Sequence, residues 1–232
     1  QTVAGNEIMK DLTGVLDIAP YSLDRVEKRA FLNDELRQCT RLHYEQCVEY
    51  RRMMDATGLN LDELPEYDEL PFLPVRLFKE FELKSVSEDK IVKTMTSSMT
   101  TGQHVSKIFL DRPTSTFQTK ALTKIVSEYL GTKRVPMLIL DSSSVLKNRN
   151  MFSARGAGIL GFSMFGSKRE YAFNEKMELD VSSVKNFLET HRGERIFMFG
   201  FTFMIWQHFY KELKAKNYSP DLSNAILIHG GG

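Results

Sequence analysis

Short apolar runs alternate with helical patterns along the second half of the chain, and this alternation limits the fold more than any other feature. Residues 135–141, 195–200 and 225–229 are short and apolar, as buried strands are. Helical spacing of apolar residues separates them, over residues 182–190 and 202–216. Chains in which strands and helices alternate form largely parallel sheets covered by helices. The sequence therefore predicts an α/β fold with a mixed, largely parallel sheet and flanking helices.

The first part of the chain has helical rather than strand periodicity. Apolar residues recur at helical spacing from Leu23 to Met54, which predicts one long helix or two consecutive helices. Ser22 is the expected N-cap and Gly58 the expected end, since these residue types begin and end helices. We therefore predict a helical N-terminal segment over residues 1–60.

Prolines interrupt the helical pattern beyond this segment, at Pro65, Pro71 and Pro74. Residues 61–90 are therefore predicted to be a connector. Residues 91–232 follow as the α/β core, with strands at 91–96 and 105–111 and a helix at 114–130. We expect this core to form one compact unit with the helical segment.

The charge of the chain is balanced, which argues against several classes of partner. It has 31 lysine and arginine residues against 30 aspartate and glutamate residues, and a net charge of +1. No overall field is available to attract nucleic acid or an anionic membrane. No apolar run approaches the roughly 18 residues that a membrane helix needs. We therefore expect neither a nucleic-acid partner nor a membrane span.

The chain has two cysteines, Cys39 and Cys47, in a helical pattern. Their separation is roughly 12 Å along a straight helix, whereas a disulfide needs Cα atoms within about 7 Å. They are not expected to pair, which suits a reducing cytoplasm. The histidines show no metal-ligand spacing, so no metal ligand is predicted.

A small-polar segment between the two strands predicted at 91–96 and 105–111 is the main candidate for ligand binding. It contains four hydroxyl residues closed by a glycine: Ser97, Ser98, Thr100, Thr101 and Gly102. Hydroxyls and backbone N–H groups can cradle phosphate oxygens, and a glycine lets the backbone approach a ligand closely. An ordinary hairpin turn is the alternative, because serine, threonine and glycine are common turn residues.

Residues 156–161 match the G-x-G-x-x-G fingerprint of dinucleotide-binding folds. That site requires the glycines to follow a strand directly and open a helix. The nearest predicted strand ends at Asp141, and Asp180, at the offset of a ribose-binding acid, is better placed as a helix N-cap. We therefore expect a glycine-rich turn packed on the core rather than a dinucleotide site.

Five stretches follow one another in a recognisable order: residues 73–79, 96–107, 153–162, 199–203 and 228–232. The resemblance that they carry extends from about residue 22 to the end of the sequence. Together they resemble the acyl-protein synthetase family of bacterial bioluminescence operons, the long-chain-fatty-acid–protein ligases. The hydroxyl-rich segment is similar to the Ser/Thr-Ser-Gly-Thr-Thr-Gly phosphate signature of adenylate-forming enzymes. The resemblance implies the fold of the N-terminal domain of those enzymes.

The resemblance also implies a function. The chain would belong to a cytoplasmic, ATP-dependent acyl-protein ligase that uses ATP and Mg²⁺. Its substrate would be a fatty acid or another carboxylic acid, activated to an acyl-adenylate. An acyl-accepting protein, such as an acyl-CoA-type reductase, would be its partner.

The family's binding residues transfer to this sequence by position. Ser97, Ser98, Thr100, Thr101 and Gly102 would grip the pyrophosphate side of ATP. Lys107 would assist them, although an outward-facing strand lysine is an equal alternative. A glycine strip would lie along the adenine face, made of Gly230, Gly231 and Gly232.

Three departures from the family pattern leave an alternative open. Met99 stands where the signature has its first glycine, so the rival hypothesis is a non-catalytic binding module with an altered phosphate loop. The family's ribose-binding aspartate, C-terminal lid lysine and acyl-accepting cysteine have no match here, so we assign no catalytic residue. We expect the chain to be the N-terminal portion of such an enzyme, truncated at its C-terminal end.

Overall fold

A computed structural model describes residues 13–96, 105–146 and 154–231 of the chain. It divides into two compact units, Gln1–Ile125 and Val126–Gly232. The segment boundaries predicted near residues 60 and 90 stay predictions.

The first unit begins with helices. Those that precede its strands are α1 (Thr13–Asp17), α2 (Arg25–Gln46), α3 (Val48–Thr57) and the single turn α4 (Leu77–Glu80). The predicted helical segment therefore consists mainly of two consecutive helices, α2 and α3.

The ends of these helices follow from local capping. Asp24, not Ser22, is the N-cap of α2, because its carboxylate accepts from two backbone N–H groups and Glu27 bonds back to its N–H. Cys47 adopts an extended conformation (φ −119°) and separates α2 from α3. Gly58 ends α3 with φ 75°, as predicted.

An antiparallel strand pair completes the first unit. β1 (Ile91–Thr96) pairs with β2 (Lys107–Asp111), with Thr96 opposite Lys107. The helix α5 (Arg112–Leu130) starts directly after β2 and continues past the boundary between the units. These elements lie where the sequence predicts two strands and a helix.

The second unit is built on a parallel sheet of four strands in the order β4-β3-β5-β6. The strands are β3 (Val135–Ser142), β4 (Gly166–Phe173), β5 (Ile196–Phe201) and β6 (Ala225–Gly230). The helices are α6 (Ala154–Phe162), α7 (Val181–Thr190), α8 (Thr202–Met204), a π-helical turn (Ile205–Tyr210) and α9 (Lys211–Ala215). The predicted α/β fold is confirmed, and the antiparallel pair forms a small sheet of its own.

Helices cover the sheet on both faces. The main core lies between one face of β3, β4 and β5 and the helices α7, α8 and α9, with Leu138, Met198 and Phe209 among its buried side chains. Side chains of a strand alternate between faces, so Phe197 and Phe199 point to the other face. There Phe199 stacks on Phe162 of α6, with ring centroids 4.4 Å apart.

The glycine-rich fingerprint lies inside α6, so the expectation of a glycine-rich turn is wrong. Its residues do not open a helix directly after β3, and this placement is incompatible with a dinucleotide site. Gly158 instead allows close packing, since a Cβ there would lie 3.2 Å from both the Phe199 and the Phe201 ring. Asp180 is the N-cap of α7, as predicted, and its carboxylate accepts from the N–H of Ser183.

Two glycines of α6 form a matched pair for a stability test. Gly161→Ala meets nothing within 4 Å and should raise the free energy of unfolding by about 0.5–1 kcal/mol through helix propensity. Gly158→Ala should lower it by about 1 kcal/mol, because overpacking against buried rings outweighs the same gain. Urea unfolding of both variants measures the difference. Equal shifts in the two variants would contradict the described packing of α6.

Candidate functional site

The order of the parallel strands marks one edge of the sheet as the place for a ligand. In the strand order β4-β3-β5-β6, the chain runs from β3 through α6 to β4, which lies on the outer side of β3. It runs from β5 through α8 and α9 to β6, which lies on the opposite side, beyond β5. The carboxyl ends of β3 and β5 therefore flank a topological switch point. Open parallel sheets bind ligands in the crevice at such a point.

Glycines follow at the carboxyl end of the neighbouring strand β6. Gly230 pairs with Phe201 of β5, and a Cβ at Gly230 would meet nothing within 4 Å. Gly231 has φ 76°, and a Cβ there would lie 2.9 Å from Cδ1 of Phe201. Gly231 is therefore required both by its backbone angle and by its contact with the ring. The result is a bare stretch of backbone at the edge of the sheet.

A threonine joins the ends of β5 and β6. Thr202 comes directly after β5, and its hydroxyl donates a hydrogen bond to the carbonyl oxygen of Gly231. The hydroxyl oxygen of Thr202 also lies 3.0 Å from Nδ1 of His229. The backbone of the two glycines is thus anchored to the first turn of the helix that follows β5.

An ion pair closes the β3 side of the crevice. The carboxylate of Asp141, only 1% exposed, receives Nε of Arg155 at 2.9 Å and Nη2 at 2.5 Å. It also accepts the N–H of Ser142 at 2.7 Å. These bonds compensate a charge that would otherwise be buried at high cost. The first turn of α6 is thereby fixed to the end of β3.

Comparison with known proteins places the sequence in a family. A family model described as acyl-protein synthetase, LuxE, matches residues 1–232. The chain belongs to this acyl-protein synthetase family. The resemblance predicted from the five sequence stretches is confirmed.

This family member is similar in sequence to one known protein and in structure to another. A long-chain-fatty-acid–luciferin-component ligase of Photorhabdus luminescens is 37% identical over 62 residues, which cover 27% of this chain and 53% of the relative. The crystal structure of 2-hydroxyisobutyryl-CoA ligase in complex with 2-HIB-AMP and CoA superposes with a TM-score of 0.59 and 15% identity. That match covers 90% of this chain and 44% of the ligase. The chain shares its fold with part of that CoA ligase and spans about half the length of these relatives.

Part of the predicted site of this acyl-protein synthetase family member is described by the structure. Gly230 and Gly231 lie at the carboxyl edge of the parallel sheet, and Gly232 follows them outside the described residues. The predicted phosphate residues also lie outside the described residues, as does Met99: Ser97, Ser98, Thr100, Thr101 and Gly102. Their roles stay predictions.

Lys107 lies at the start of β2, next to the predicted phosphate segment in sequence. Its Nζ is 2.8 Å from Oε1 of Glu82, and Lys84 approaches the same carboxylate at 3.2 Å. Hydrogen bonds from Lys107 and then from Lys84 lower the pKa of Glu82 below its usual range. A phosphate contact by Lys107 would therefore compete with an existing carboxylate partner.

Potential metal ligands do not cluster in the described part of the chain. Among residues 13–96, 105–146 and 154–231, no cluster of three histidine, cysteine, aspartate or glutamate side chains could hold a metal ion. Cys47 is buried, Cys39 is partly buried, and no disulfide joins them, as predicted. In the same ranges, no helix is both long and apolar enough to cross a bilayer.

Sequence reasoning missed three members of the site: Thr202, Asp141 as an ion-pair partner, and Arg155. Asp141 carried a detectable signal, since a carboxylate that ends an otherwise apolar strand needs a cation or N–H partners. Thr202 lies in the family-like stretch 199–203, but its partners are known only once β5 and β6 are paired.

Proposed function

We propose that this protein activates a long-chain fatty acid with ATP and passes the acyl group to a protein thiol. In the first step a carboxylate oxygen of the acid attacks the α-phosphorus of ATP, and the bond to pyrophosphate breaks. The products are acyl-adenylate and pyrophosphate. In the second step a thiolate attacks the acyl carbonyl carbon, and AMP leaves as the thioester forms.

The observation that carries this proposal is the glycine backbone at the carboxyl end of β6, next to the strand that borders the switch point. Gly231 is held against Phe201 at a φ of 76°, where most other residues are strained, and a Cβ built at Gly230 would meet nothing within 4 Å. A flat adenine ring can lie on such a backbone without meeting a side chain. Gly230 and Gly231 therefore fit the adenine of ATP.

The phosphates of ATP would lie at the hydroxyl-rich segment. Ser97, Ser98, Thr100 and Thr101 would donate to the departing pyrophosphate, and Gly102 would let the backbone approach it. Lys107 would assist by exchanging the carboxylate of Glu82 for phosphate oxygens. Mg²⁺ would come with the nucleotide, because this ion keeps its waters and binds phosphates with few protein ligands.

The substrate and partner follow from the family and from the named relative. A fatty acid is the proposed substrate, in line with the luciferin-component ligase of Photorhabdus luminescens. The proposed acceptor is a protein thiol, for instance on an acyl-CoA-type reductase. A thioester step requires a reduced thiol, so we place the reaction in the cytoplasm.

The acyl group is not expected on either cysteine of this chain. Cys47 is 2% exposed and its sulfur lies 3.8 Å from a carboxylate oxygen of Glu49, unlike the exposed, electropositive setting of reactive thiols. After Cys39→Ser and Cys47→Ser replacement, the full-length protein incubated with ATP, Mg²⁺ and labelled fatty acid should keep its hydroxylamine-sensitive label. Circular dichroism serves as the folding control.

Two outcomes of this labelling experiment would count against the proposal. Loss of the label in a folded double variant would place the acyl group on Cys39 or Cys47. Absence of ATP-dependent label transfer with the natural sequence, in the presence of an acceptor reductase, would contradict the proposed function itself.

A further inference from the structure

The side chains at the ends of β5 and β6 form a connected chain of hydrogen bonds. Thr202 is its centre, since its hydroxyl donates to the carbonyl oxygen of Gly231 and lies 3.0 Å from Nδ1 of His229. His229 belongs to β6 and pairs with Gly200 of β5. One hydroxyl thus links both strand ends at the edge where the ligand crevice opens.

The direction of each bond in this chain is determined by the number of protons. A threonine hydroxyl has one proton to donate. The carbonyl oxygen of Gly231 only accepts, so the hydroxyl proton of Thr202 goes there. Nδ1 of His229 must therefore carry a proton and donate to the hydroxyl oxygen. A hydrogen bond at one ring nitrogen sets the tautomer, so neutral His229 is the Nδ1–H form.

This chain of bonds acts on Gly231, which has a positive φ of 76°. Glycine loses more conformational freedom on ordering than any other residue. A ligand that had to order Gly231 on binding would lose affinity for that reason. The bond from Thr202, together with the contact between Gly231 and the Phe201 ring, orders the strip before a ligand arrives.

We propose that Thr202 is a positioning residue of the nucleotide site. His229 orients the Thr202 hydroxyl, and the hydroxyl holds Gly231 in the geometry that receives a planar purine ring. The inference rests on the proposed function, because it takes the adenine of ATP as the ligand of the glycine strip. According to this inference, the Thr202 hydroxyl strengthens ATP binding but does not change the rate of the chemical step.

Two substitutions at this position separate the hydroxyl from the shape of the side chain. Thr202→Val keeps the branched shape but cannot donate to Gly231, whereas Thr202→Ser keeps the donor. Loss of one partly exposed hydrogen bond should weaken ATP binding about three- to tenfold. The KM for ATP should rise by the same factor with kcat unchanged, as for an interaction made equally in the ground state and the transition state. Thr202→Ser should match the natural sequence.

The test uses the full-length protein, with ATP as the probe. Calorimetric titration gives the ATP affinity of the natural protein and both variants, and steady-state pyrophosphate exchange gives KM and kcat. Nitrogen-15 spectra of the imidazole report the tautomer of His229. We expect a protonated Nδ1 in the natural protein and in Thr202→Ser, and a changed Nδ1 signal in Thr202→Val.

The outcomes distinguish this inference from the proposed function. Equal ATP affinity in the natural protein and in folded Thr202→Val overturns the inference, and so does neutral His229 with its proton on Nε2. Tight ATP binding that depends on the Thr202 hydroxyl, without any exchange activity, supports the inference and overturns the proposed function. Failure of the natural protein to bind ATP overturns both.

Discussion

Replacing Thr100 and Thr101 together with alanine is expected to lower the rate of acyl-adenylate formation by about 10²- to 10³-fold, the loss seen when a preorganised hydrogen-bond donor to developing charge is removed. The departing pyrophosphate gains charge as its bond to the α-phosphorus breaks. Hydroxyl donors in the segment between β1 and β2 would spread that charge in the transition state. Hydroxamate formation from fatty acid, ATP and hydroxylamine measures the rate.

A second pair of threonines offers a matched control for this prediction. Thr119 lies exposed and Thr123 half-buried on α5, and their hydroxyls donate to backbone carbonyls four residues earlier. Alanine at both positions should leave the rate within about twofold, since surface substitutions of this kind are usually near neutral. If both double variants keep the natural rate, the phosphate role of Thr100 and Thr101 is excluded.

Arg155→Met is expected to lower the free energy of unfolding by about 3 kcal/mol, because it leaves the carboxylate of Asp141 buried without its cation. The Arg155 side chain is 36% exposed while Asp141 is 1% exposed. Water entering the space left by the guanidinium would offset only part of this loss. Denaturant unfolding followed by circular dichroism measures the loss.

The matched control for this substitution removes both charges. Asp141→Asn combined with Arg155→Met should recover about 1–2 kcal/mol relative to Arg155→Met alone, since replacing both partners avoids the unpaired charge. A double variant that is less stable than Arg155→Met would show that the ion pair is not what Arg155 contributes.

The strands of the parallel sheet illustrate what the sequence could predict. β3 and β5 are buried on both faces and read as continuous apolar runs, so their positions follow from composition. β4 is an edge strand with Ser167, Lys168 and Arg169 exposed, and no apolar run marks it. Its position depends on pairing with β3, which local pattern does not reveal.

The break between α2 and α3 and the placement of α6 show a second limit. Apolar periodicity continues through Cys47, so only capping and tertiary packing decide between one helix and two. Glycines disfavour a helix interior by about 1 kcal/mol each, yet α6 contains several of them. Packing of Gly158 on two phenylalanine rings favours the helix there, against local propensity.

The candidate site also contains some residues that the sequence predicts and others that it does not. Gly230 and Gly231 were predicted as site residues from the family resemblance, and they lie at the carboxyl end of β6. Thr202 and His229 could not be predicted as site residues, since each is an ordinary residue until the pairing of β5 with β6 brings them together. Contacts between residues distant in sequence were the missing information.

The central claim is that the protein makes an acyl-adenylate from a fatty acid and ATP. Exchange of labelled pyrophosphate into ATP by the full-length protein tests this most directly, because exchange requires reversible adenylate formation. We predict exchange that depends on Mg²⁺ and a long-chain fatty acid and that stays at background without the acid. Exchange at background with every chain length tested would contradict the account and favour the binding module in which Met99 blocks the loop.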